Sequence, residues 1–310
     1  MKENNVTTRD AIWNRLLKAE AKARSSKTGR WRQSPVMYPA LMAFNYLLYP
    51  IVRRGVYTMA YPFFGLPMRT LLPAGTDLLL NRIKSHDSEL RLAKFMCLHL
   101  LENDIVIDVG AHYGYYSLLA SVLAGNGKVF SIEASSSSYD ILIDNTRGRS
   151  NVVAFHQAAG EKNGKVVFYE YPGPYAEYNT TIEGAYEKQT WLKKIVQTIT
   201  TVPVIMLDDL IEAQNINKAF IKIDVEGGEP AVLKGLKRSL LSCDLTIAME
   251  YLSNKGDDTN HAIAADILSN AGYESYAIED DGQLKLLKNI DHYLQERKIT
   301  SDNIVFVRSS

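Results

Sequence analysis

Carboxylates, closely spaced glycines and one histidine are the residues of this chain with most chemistry in them. Asp108-Val-Gly110-Ala111-His112-Tyr113-Gly114-Tyr115-Tyr116-Ser117 follows an apolar run and opens a helical pattern. Glycines at such a junction let the backbone approach a ligand closely, and the first N–H groups of a helix are free donors. The spacing is Gly-x-x-x-Gly, not the dinucleotide pattern G-x-G-x-x-G. Twenty-five residues after Asp108 a second apolar run ends in Glu133, near the distance at which an acid binds ribose hydroxyls. A carboxylate accepts two such hydrogen bonds well. The plainer readings are a tight turn and a solvated strand-end acid. Asp224, Glu226 and Glu250 stand at the ends of two later apolar runs. Three carboxylates at adjacent strand ends could make a base, an acceptor clamp or a divalent-metal site, the metal being the less favoured. No Cys/His spacing suggests zinc.

Elements must hold these groups in place. Ile105–Val109, Lys128–Glu133, Val152–His156, Phe220–Val225 and Leu245–Glu250 read as strands, with Glu274–Glu279 and Asn303–Val307 as two final ones. Helical patterns at Tyr115–Ala124, Tyr139–Asn145, Pro230–Leu241 and His261–Asn270 alternate with them. Apolar strands alternating with helices predict an α/β fold, a mostly parallel sheet covered on both faces. Ligands of such sheets sit at the carboxyl ends of the strands.

The loop at Asp108 resembles motif I of class I S-adenosylmethionine methyltransferases, in the form used by the FkbM-type family. The resemblance continues through Glu133, His156-Gln157-Ala158-Ala159-Gly160 and Met206-Leu207-Asp208-Asp209-Leu210. It is most specific at Ile221-Lys222-Ile223-Asp224-Val225-Glu226-Gly227-Gly228-Glu229, closes at Ala248-Met249-Glu250, and covers residues 78–308. It implies a doubly wound, Rossmann-like, mostly parallel seven-stranded sheet whose last strand is antiparallel. It also implies transfer of a methyl group from S-adenosylmethionine to an oxygen, on a sugar, glycan, lipid-linked saccharide or polyketide-like small molecule. Asp108, Gly110 and Gly114 would hold the methionine part, Glu133 the ribose, and Gln157 or Ala158 the adenine edge. Ala111, His112, Tyr113, Ser117 and Ala134 complete the implied cofactor site. The family usually has Asn where His112 stands and Pro where Ala134 stands, so the contacts of these two differ from the pattern.

A sulfonium is already an excellent methyl donor, so the protein must align an acceptor with it and exclude water. An alcohol needs a base as it attacks. Asp224 is expected near the methyl and the acceptor, with Glu226 as base or hydroxyl clamp and Glu250 beside them. Glu226 could instead cap the next helix with Gly227 and Gly228, and Glu250 could hold a neighbouring loop. His112 is a second candidate base, although a lone loop histidine is more often a hydrogen-bond partner. Between the third and fourth strands, the insert at 164–204 carries Tyr169, Tyr171, Tyr175, Tyr178, Tyr186 and Trp191. Such rings suit a sugar-like acceptor, or simply pack on each other. Lys84, His86 and Glu89 could line the cofactor entrance, or merely start a helix capped by Asp87 or Ser88. A nicotinamide oxidoreductase lacks its glycine pattern here. An N-methyltransferase of bases lacks its Asn/Asp-Pro-Pro-Tyr/Phe motif, though other amines stay open. A binding module without turnover would not need Asp108, Glu133 and Asp224 together.

The composition supports a globular protein: 310 residues, 46% hydrophobic and 23% charged. Only two cysteines, Cys97 and Cys243, are present, which suggests a reducing compartment. Net charge is zero, which argues against a nucleic-acid partner. Yet residues 1–60 hold eleven basic and three acidic residues against 24 and 32 in the rest. The sequence therefore divides into a basic, apolar arm (1–60) and a methyltransferase domain (61–310). Arg9–Arg24 reads as a helix with Ile12, Trp13, Leu16 and Leu17 on one face. Ser34–Val52 is uncharged, but Pro39 and Pro50 interrupt the helical period and a span would export the domain. A secretory signal is disfavoured as well. The arm is read as peripheral contact with an anionic membrane through residues 1–54, or as a helical lid on the body or a partner chain. The expected location is cytoplasmic, at the inner face of the membrane.

Overall fold

The computed structural model describes residues 2–186, 189–253 and 259–309. The chain starts with α1 (Lys2–Ala23), α2 (Lys27–Gln33) and α3 (Met37–Ala43), which continues through a π turn at Phe44–Leu48 into α4 (Tyr49–Val52). The buried side of α1 is Ile12, Leu16 and Ala19, with Trp13 half-buried and Leu17 exposed. That side joins the core that contains Leu92, Phe95 and Met96. A largely buried ion pair, Lys94 Nζ to Glu20 Oε2 at 2.8 Å, fastens it. The apolar face of α1 is thus covered by the body, as in the lid reading. The two prolines do not break the following helix as expected. Pro39 sits in the first turn of α3, where its missing N–H costs no helical bond. The π turn just before Pro50 absorbs the second interruption. Among the described residues, no helix is long and apolar enough to cross a membrane.

An antiparallel ribbon of β1 (Val56–Ala60) and β2 (Met68–Leu72) is followed by α5 (Thr76–Asn81) and α6 (Asp87–His99). His86 is the N-cap of α6, so neither Asp87 nor Ser88 fills that place. Then come β3 (Ile105–Val109), α7 (Tyr115–Leu123), β4 (Lys128–Glu133), α8 (Ser136–Thr146), β5 (Val152–His156), β6 (Ala158–Ala159), β7 (Gly164–Glu170) and β8 (Thr198–Ile205). The chain continues with α9 (Leu207–Ala213), β9 (Lys218–Ile223), α10 (Glu229–Lys234), α11 (Lys237–Ser242), β10 (Asp244–Leu252) and α12 (Asn260–Asn270). It closes with β11 (Tyr273–Ile278), β12 (Leu284–Leu286), α13 (Ile290–Arg297) and β13 (Ser301–Arg308).

The main sheet has the order β12-β11-β13-β10-β9-β3-β4-β5. From β10 to β5 the strands run parallel, and β13 is antiparallel to both neighbours. The α/β class and the reversed last strand agree with the expectation; β12, a three-residue edge strand paired to β11, makes an eighth strand where seven were expected. The central strands β3, β4 and β9 are apolar on both sides because both faces are covered there. Val106 packs into the layer of α6 and α7, while Ile107 and Val109 pack into the layer of α9 to α12. The single helix expected at Pro230–Leu241 is two, α10 and α11. Between them Gly235 lies so close to Gly160 that a Cβ would stand 2.0 Å from the Gly160 carbonyl oxygen. Asp208 restarts the helix by accepting the N–H groups of Arg238 at 2.9 Å and Ser239 at 2.8 Å.

Candidate active site

Strands in a parallel sheet lie about 4.8 Å apart, so residues that follow in-register partners emerge side by side. Ile132 pairs with Val109, Val109 with Ile223, and Ile223 with Met249. The next residues are Glu133, Gly110, Asp224 and Glu250. All four line one cavity of about 830 Å³, together with Ala111, His112, Tyr113, Ala134, Gln157, Ala158 and Glu226. Asp108, Gly114 and Ser117 do not line it: Asp108 and Ser117 pair behind the loop, and Gly114, at φ 85°, turns the chain into α7.

On the glycine-loop side, position is set mainly by backbone. Gly110 has φ 75°, and a Cβ there would lie 1.8 Å from the Asp224 carbonyl oxygen, so the loop fits against β9 only with glycine. Glu133 Oε2 accepts the His112 N–H at 2.7 Å and Oε1 accepts the Ser135 N–H at 2.8 Å. Burial pushes the Glu133 carboxyl up to about 7, against these two bonds. The His112 ring stacks on Tyr113 with centroids 3.8 Å apart. Burial, reinforced by the Lys84 charge, drives the imidazole down to about 3. A group this weakly basic is a poor proton acceptor for an alcohol, which disfavours His112 as the base. Its Nε2 is buried and unpartnered.

Behind the loop, Ser131 Oγ donates to Ser117 Oγ at 2.7 Å and Ser117 Oγ to Asp108 Oδ2 at 2.6 Å. Lys222 Nζ lies 3.8 Å from Asp108 Oδ1 and donates to Asp224 Oδ2 at 3.0 Å. Lys222 was not singled out from the sequence, yet it is 4% exposed and ties the two halves of the site together. Its signal was a lysine inside the apolar run Phe220–Val225, which requires a buried anionic partner.

The other side is held by side chains. One carboxylate oxygen each of Asp224, Glu226 and Glu250 lies within 4.8 Å of the others. Burial alone would raise Asp224, but the Lys222 ammonium overrides it and keeps this carboxyl below its ordinary value. Glu226 is pushed well above the carboxylate range by burial and then by the Asp224 charge. Glu250 is raised for the same two reasons to about 8. The cluster therefore holds one firm anion, Asp224, beside two carboxyls whose ionisation is opposed by burial and by that anion. Glu226 has φ 52°; Thr180 Oγ1 donates to its carbonyl at 3.0 Å and the Tyr186 hydroxyl donates to its Oε2 at 2.7 Å. Glu226 does not cap the next helix, whose N-cap is Gly228 without a side-chain cap; Glu229 Oε1 instead braces the preceding loop by accepting the Val225 N–H at 3.1 Å and the Gly227 N–H at 3.4 Å. In Glu250 it is the backbone carbonyl that meets a neighbour, His261 Nδ1 at 3.1 Å.

The insert folds as the β7–β8 ribbon beside β6. Its rings pack on one another: Tyr178 meets Tyr186 at 5.2 Å and Trp191 at 5.3 Å. Tyr178 also lines the cavity, so the two readings of the aromatic insert coexist. Glu170 pins the ribbon to the end of β4 by accepting from Ser135 Oγ at 2.6 Å and Ser137 Oγ at 2.7 Å. Lys84, His86 and Glu89 all line the cavity, with Lys84 Nζ 2.8 Å from Glu89 Oε2. The Tyr116 hydroxyl donates to the same oxygen at 3.0 Å.

Residues 108–275, which span this site, match the family described as "Methyltransferase FkbM domain". The chain belongs to the FkbM methyltransferase family. Within a segment of 168 residues it is 27% identical to the hexuronic acid methyltransferase AglP of Haloferax volcanii. That segment is 54% of this chain and 64% of the relative, less than two thirds of its length. Among solved structures, the chain is similar to precorrin-6y C5,15-methyltransferase of Geobacter metallireducens, at 15% identity and TM-score 0.39, over 72% of this chain and 88% of that one. It is also similar to a SAM-dependent methyltransferase of Aquifex aeolicus, at 14% identity and TM-score 0.35, over 76% and 93% of the two chains.

Proposed function

We propose that this family member transfers a methyl group from S-adenosylmethionine to a hydroxyl of a sugar or saccharide, on the cytoplasmic side where the cofactor is supplied. The observation that carries the reading is the row Glu133, Gly110, Asp224 and Glu250 at four adjacent strand ends facing one cavity. The residues fit the cofactor. Each Glu133 oxygen accepts one backbone N–H and keeps a lone pair for a ribose hydroxyl. Gly110 leaves the loop backbone open to the ligand, Gln157, Ala158 and Ala134 offer the adenine edge, and 830 Å³ lies within the range of about 300–1,000 Å³ typical of ligand sites.

S-adenosylmethionine, when bound, supplies a methyl group already activated by a positively charged sulfur. Asp224, kept anionic by Lys222, gives that end of the cavity the complementary charge. Glu250 hydrogen-bonds the acceptor hydroxyl, and the ionised form of Glu226, which the Tyr186 hydroxyl favours against burial and the Asp224 charge, takes the hydroxyl proton as the oxygen attacks. Tyr178 and the insert cover the acceptor and limit water. A cluster rich in carboxyls and hydroxyls suits a polyhydroxyl acceptor, and the relative from Haloferax volcanii is described as acting on a hexuronic acid. The metal-free reading is the favoured one, and on it turnover should survive dialysis against EDTA; loss of turnover restored by Mg²⁺ would assign the three carboxyls to a cation instead.

Purified protein given methyl-labelled S-adenosylmethionine and a panel of neutral sugars, uronic acids and aminosugars tests the reading. Label on a sugar hydroxyl supports it. Label only on nitrogen transfers the site to amine chemistry, and no cofactor binding in calorimetry overturns it.

A further inference from the structure

The helix built from α3, the π turn and α4 is apolar on two sides. Inward, Leu41 is buried against Leu72 and Leu80. Outward, Leu47, Leu48, Ile51 and Val52 stand on one side at i, i+1, i+4 and i+5, and are 68%, 51%, 81% and 47% exposed. Tyr46 beside them is 75% exposed. A run of free aliphatic side chains this long is unusual on a protein surface and marks a place that something covers.

Charge names the occupant. From Ala21 to Thr76 the sequence contains no Asp or Glu, and it holds Lys22, Arg24, Lys27, Arg30, Arg32, Arg53, Arg54 and Arg69. Arg53 and Arg54, both exposed, close the apolar face, and exposed Trp31 and Arg32 lie on α2, which packs beside α3. Aliphatic side chains bordered by cations and by Trp and Tyr suit the boundary between the acyl chains and anionic headgroups of a bilayer. At about 1.5 Å per residue, Met37–Val52 is about 24 Å long, shorter than the roughly 30 Å apolar layer it would need to span.

We propose that this face, Leu47, Leu48, Ile51 and Val52 with Arg53 and Arg54, docks the protein on an anionic lipid bilayer. The element of the basic arm that meets lipid is thus this helix, while the apolar side of α1 is spent on the body. The helix is fastened next to the cavity: Asn45 Nδ2 donates to Thr76 Oγ1 at 2.9 Å, and Tyr49 shares a hydrogen bond with Tyr175. Gly75, Asp77 and Ala176, the chain neighbours of these partners, line the cavity. Docking therefore sets the cavity beside the headgroups. Taken with the methyl-transfer reading, on which this last step alone rests, the acceptor is a saccharide presented on a lipid carrier.

Flotation of the full chain with vesicles of phosphatidylcholine, with and without phosphatidylglycerol, tests docking without any need for turnover. The wild type should float with the anionic vesicles and remain below with the neutral ones. Leu47→Ser/Ile51→Ser and Arg53→Glu/Arg54→Glu change only exposed side chains, and each should lower the bound fraction at least about tenfold. Calorimetry with S-adenosylmethionine, unchanged in both variants, shows that they are folded. Equal partition of wild type and variants overturns the proposal. So does a wild type that ignores anionic vesicles, including one that light scattering shows as a dimer dissociated by Leu47→Ser/Ile51→Ser, since a second copy would then cover the face.

Discussion

On the glycine-loop side of the cavity, Glu133 is held by two backbone N–H groups and Gly110 by its contact with the chain of Asp224, all of it fixed by the register of four parallel strands. On the opposite side, Glu226 depends on Tyr186, forty residues earlier in an insert, and on a strained backbone at φ 52°. The first arrangement rests mainly on backbone groups beside the strand ends, so it depends little on which side chains the surface segments carry. The second can be re-aimed by altering a few insert residues, which is where selectivity for an acceptor is expected to reside. The comparison separates what mutations should do: changes on the loop side should move cofactor affinity, changes on the insert side should move turnover.

The largest effect should come from Glu226→Gln. It keeps the shape and the Tyr186 contact but removes the proton acceptor, so kcat should fall about 10²–10⁴-fold with the cofactor Kd unchanged. In the wild type burial and the Asp224 charge raise Glu226 above the carboxylate range, so kcat/KM should climb with rising pH as this group ionises. Glu226→Gln should flatten that climb; a variant with wild-type turnover and the same profile removes Glu226 from the chemistry.

Glu133→Ala comes next. Losing hydrogen bonds from a carboxylate to two ribose hydroxyls, at roughly 1.5–3 kcal/mol for each charged bond, should weaken cofactor binding at least about a hundredfold in calorimetry. The same carboxyl sits at about 7 in the folded protein, and its anion is the better acceptor. Wild-type affinity should therefore improve between pH 6 and pH 8, and Glu133→Gln should lose this dependence. Full affinity in Glu133→Ala would break the loop-side half of the comparison.

The difference between the sides also explains what the sequence made legible. Apolar runs ending in Glu133, in Asp224 and in Glu250 announce parallel strands, and register converts strand ends into neighbours, so a row of site residues can be read from one dimension. The glycine at position 110 is legible for the same reason: its neighbours are its own strand and the next. Tyr186 was visible only as one tyrosine among several, because the fold of the insert is decided by ring-on-ring packing that has no period. Lys222 carried a signal, a cation in an apolar strand, that only a pairing argument would have used. The reading of α1 erred at Leu17, where the buried stripe turns toward Ala19 instead, and the extra strand β12, Leu284–Leu286, is too short for its alternation to stand out.

Tyr186→Phe tests the boundary between the two sides at a smaller scale. Removing the hydroxyl takes one donor from Glu226 Oε2, at about 1–2 kcal/mol, or roughly five- to thirtyfold in kcat at neutral pH. The donor favours the ionised carboxylate, so its loss should shift the alkaline rise in kcat/KM to higher pH. Cofactor affinity should stay within twofold of wild type. A loss of cofactor binding in this variant would mean that the insert supports both sides and that the division drawn above is wrong.

The smallest effect should be on stability, through Glu250. Its carboxyl is raised from the ordinary carboxylate range to about 8 in the folded protein, so folding is favoured while the group is protonated in both states. That contribution is complete below about pH 4.5 and is lost as pH rises through about 8, because the unfolded chain ionises the group first. Glu250→Gln supplies a neutral group of the same shape at every pH. It should leave Tm almost unchanged at pH 5 and raise it by about 2 °C or more at pH 8. Asp224→Asn, which neutralises the anion stabilised by Lys222, should lower Tm at both pH values by leaving a buried ammonium with a weaker partner. Opposite signs for the two neighbours at pH 8 would show that the cluster divides into one structural anion and titrating carboxyls poised for proton transfer; equal signs would mean that the three share charge evenly and that no single one of them is set apart as the base.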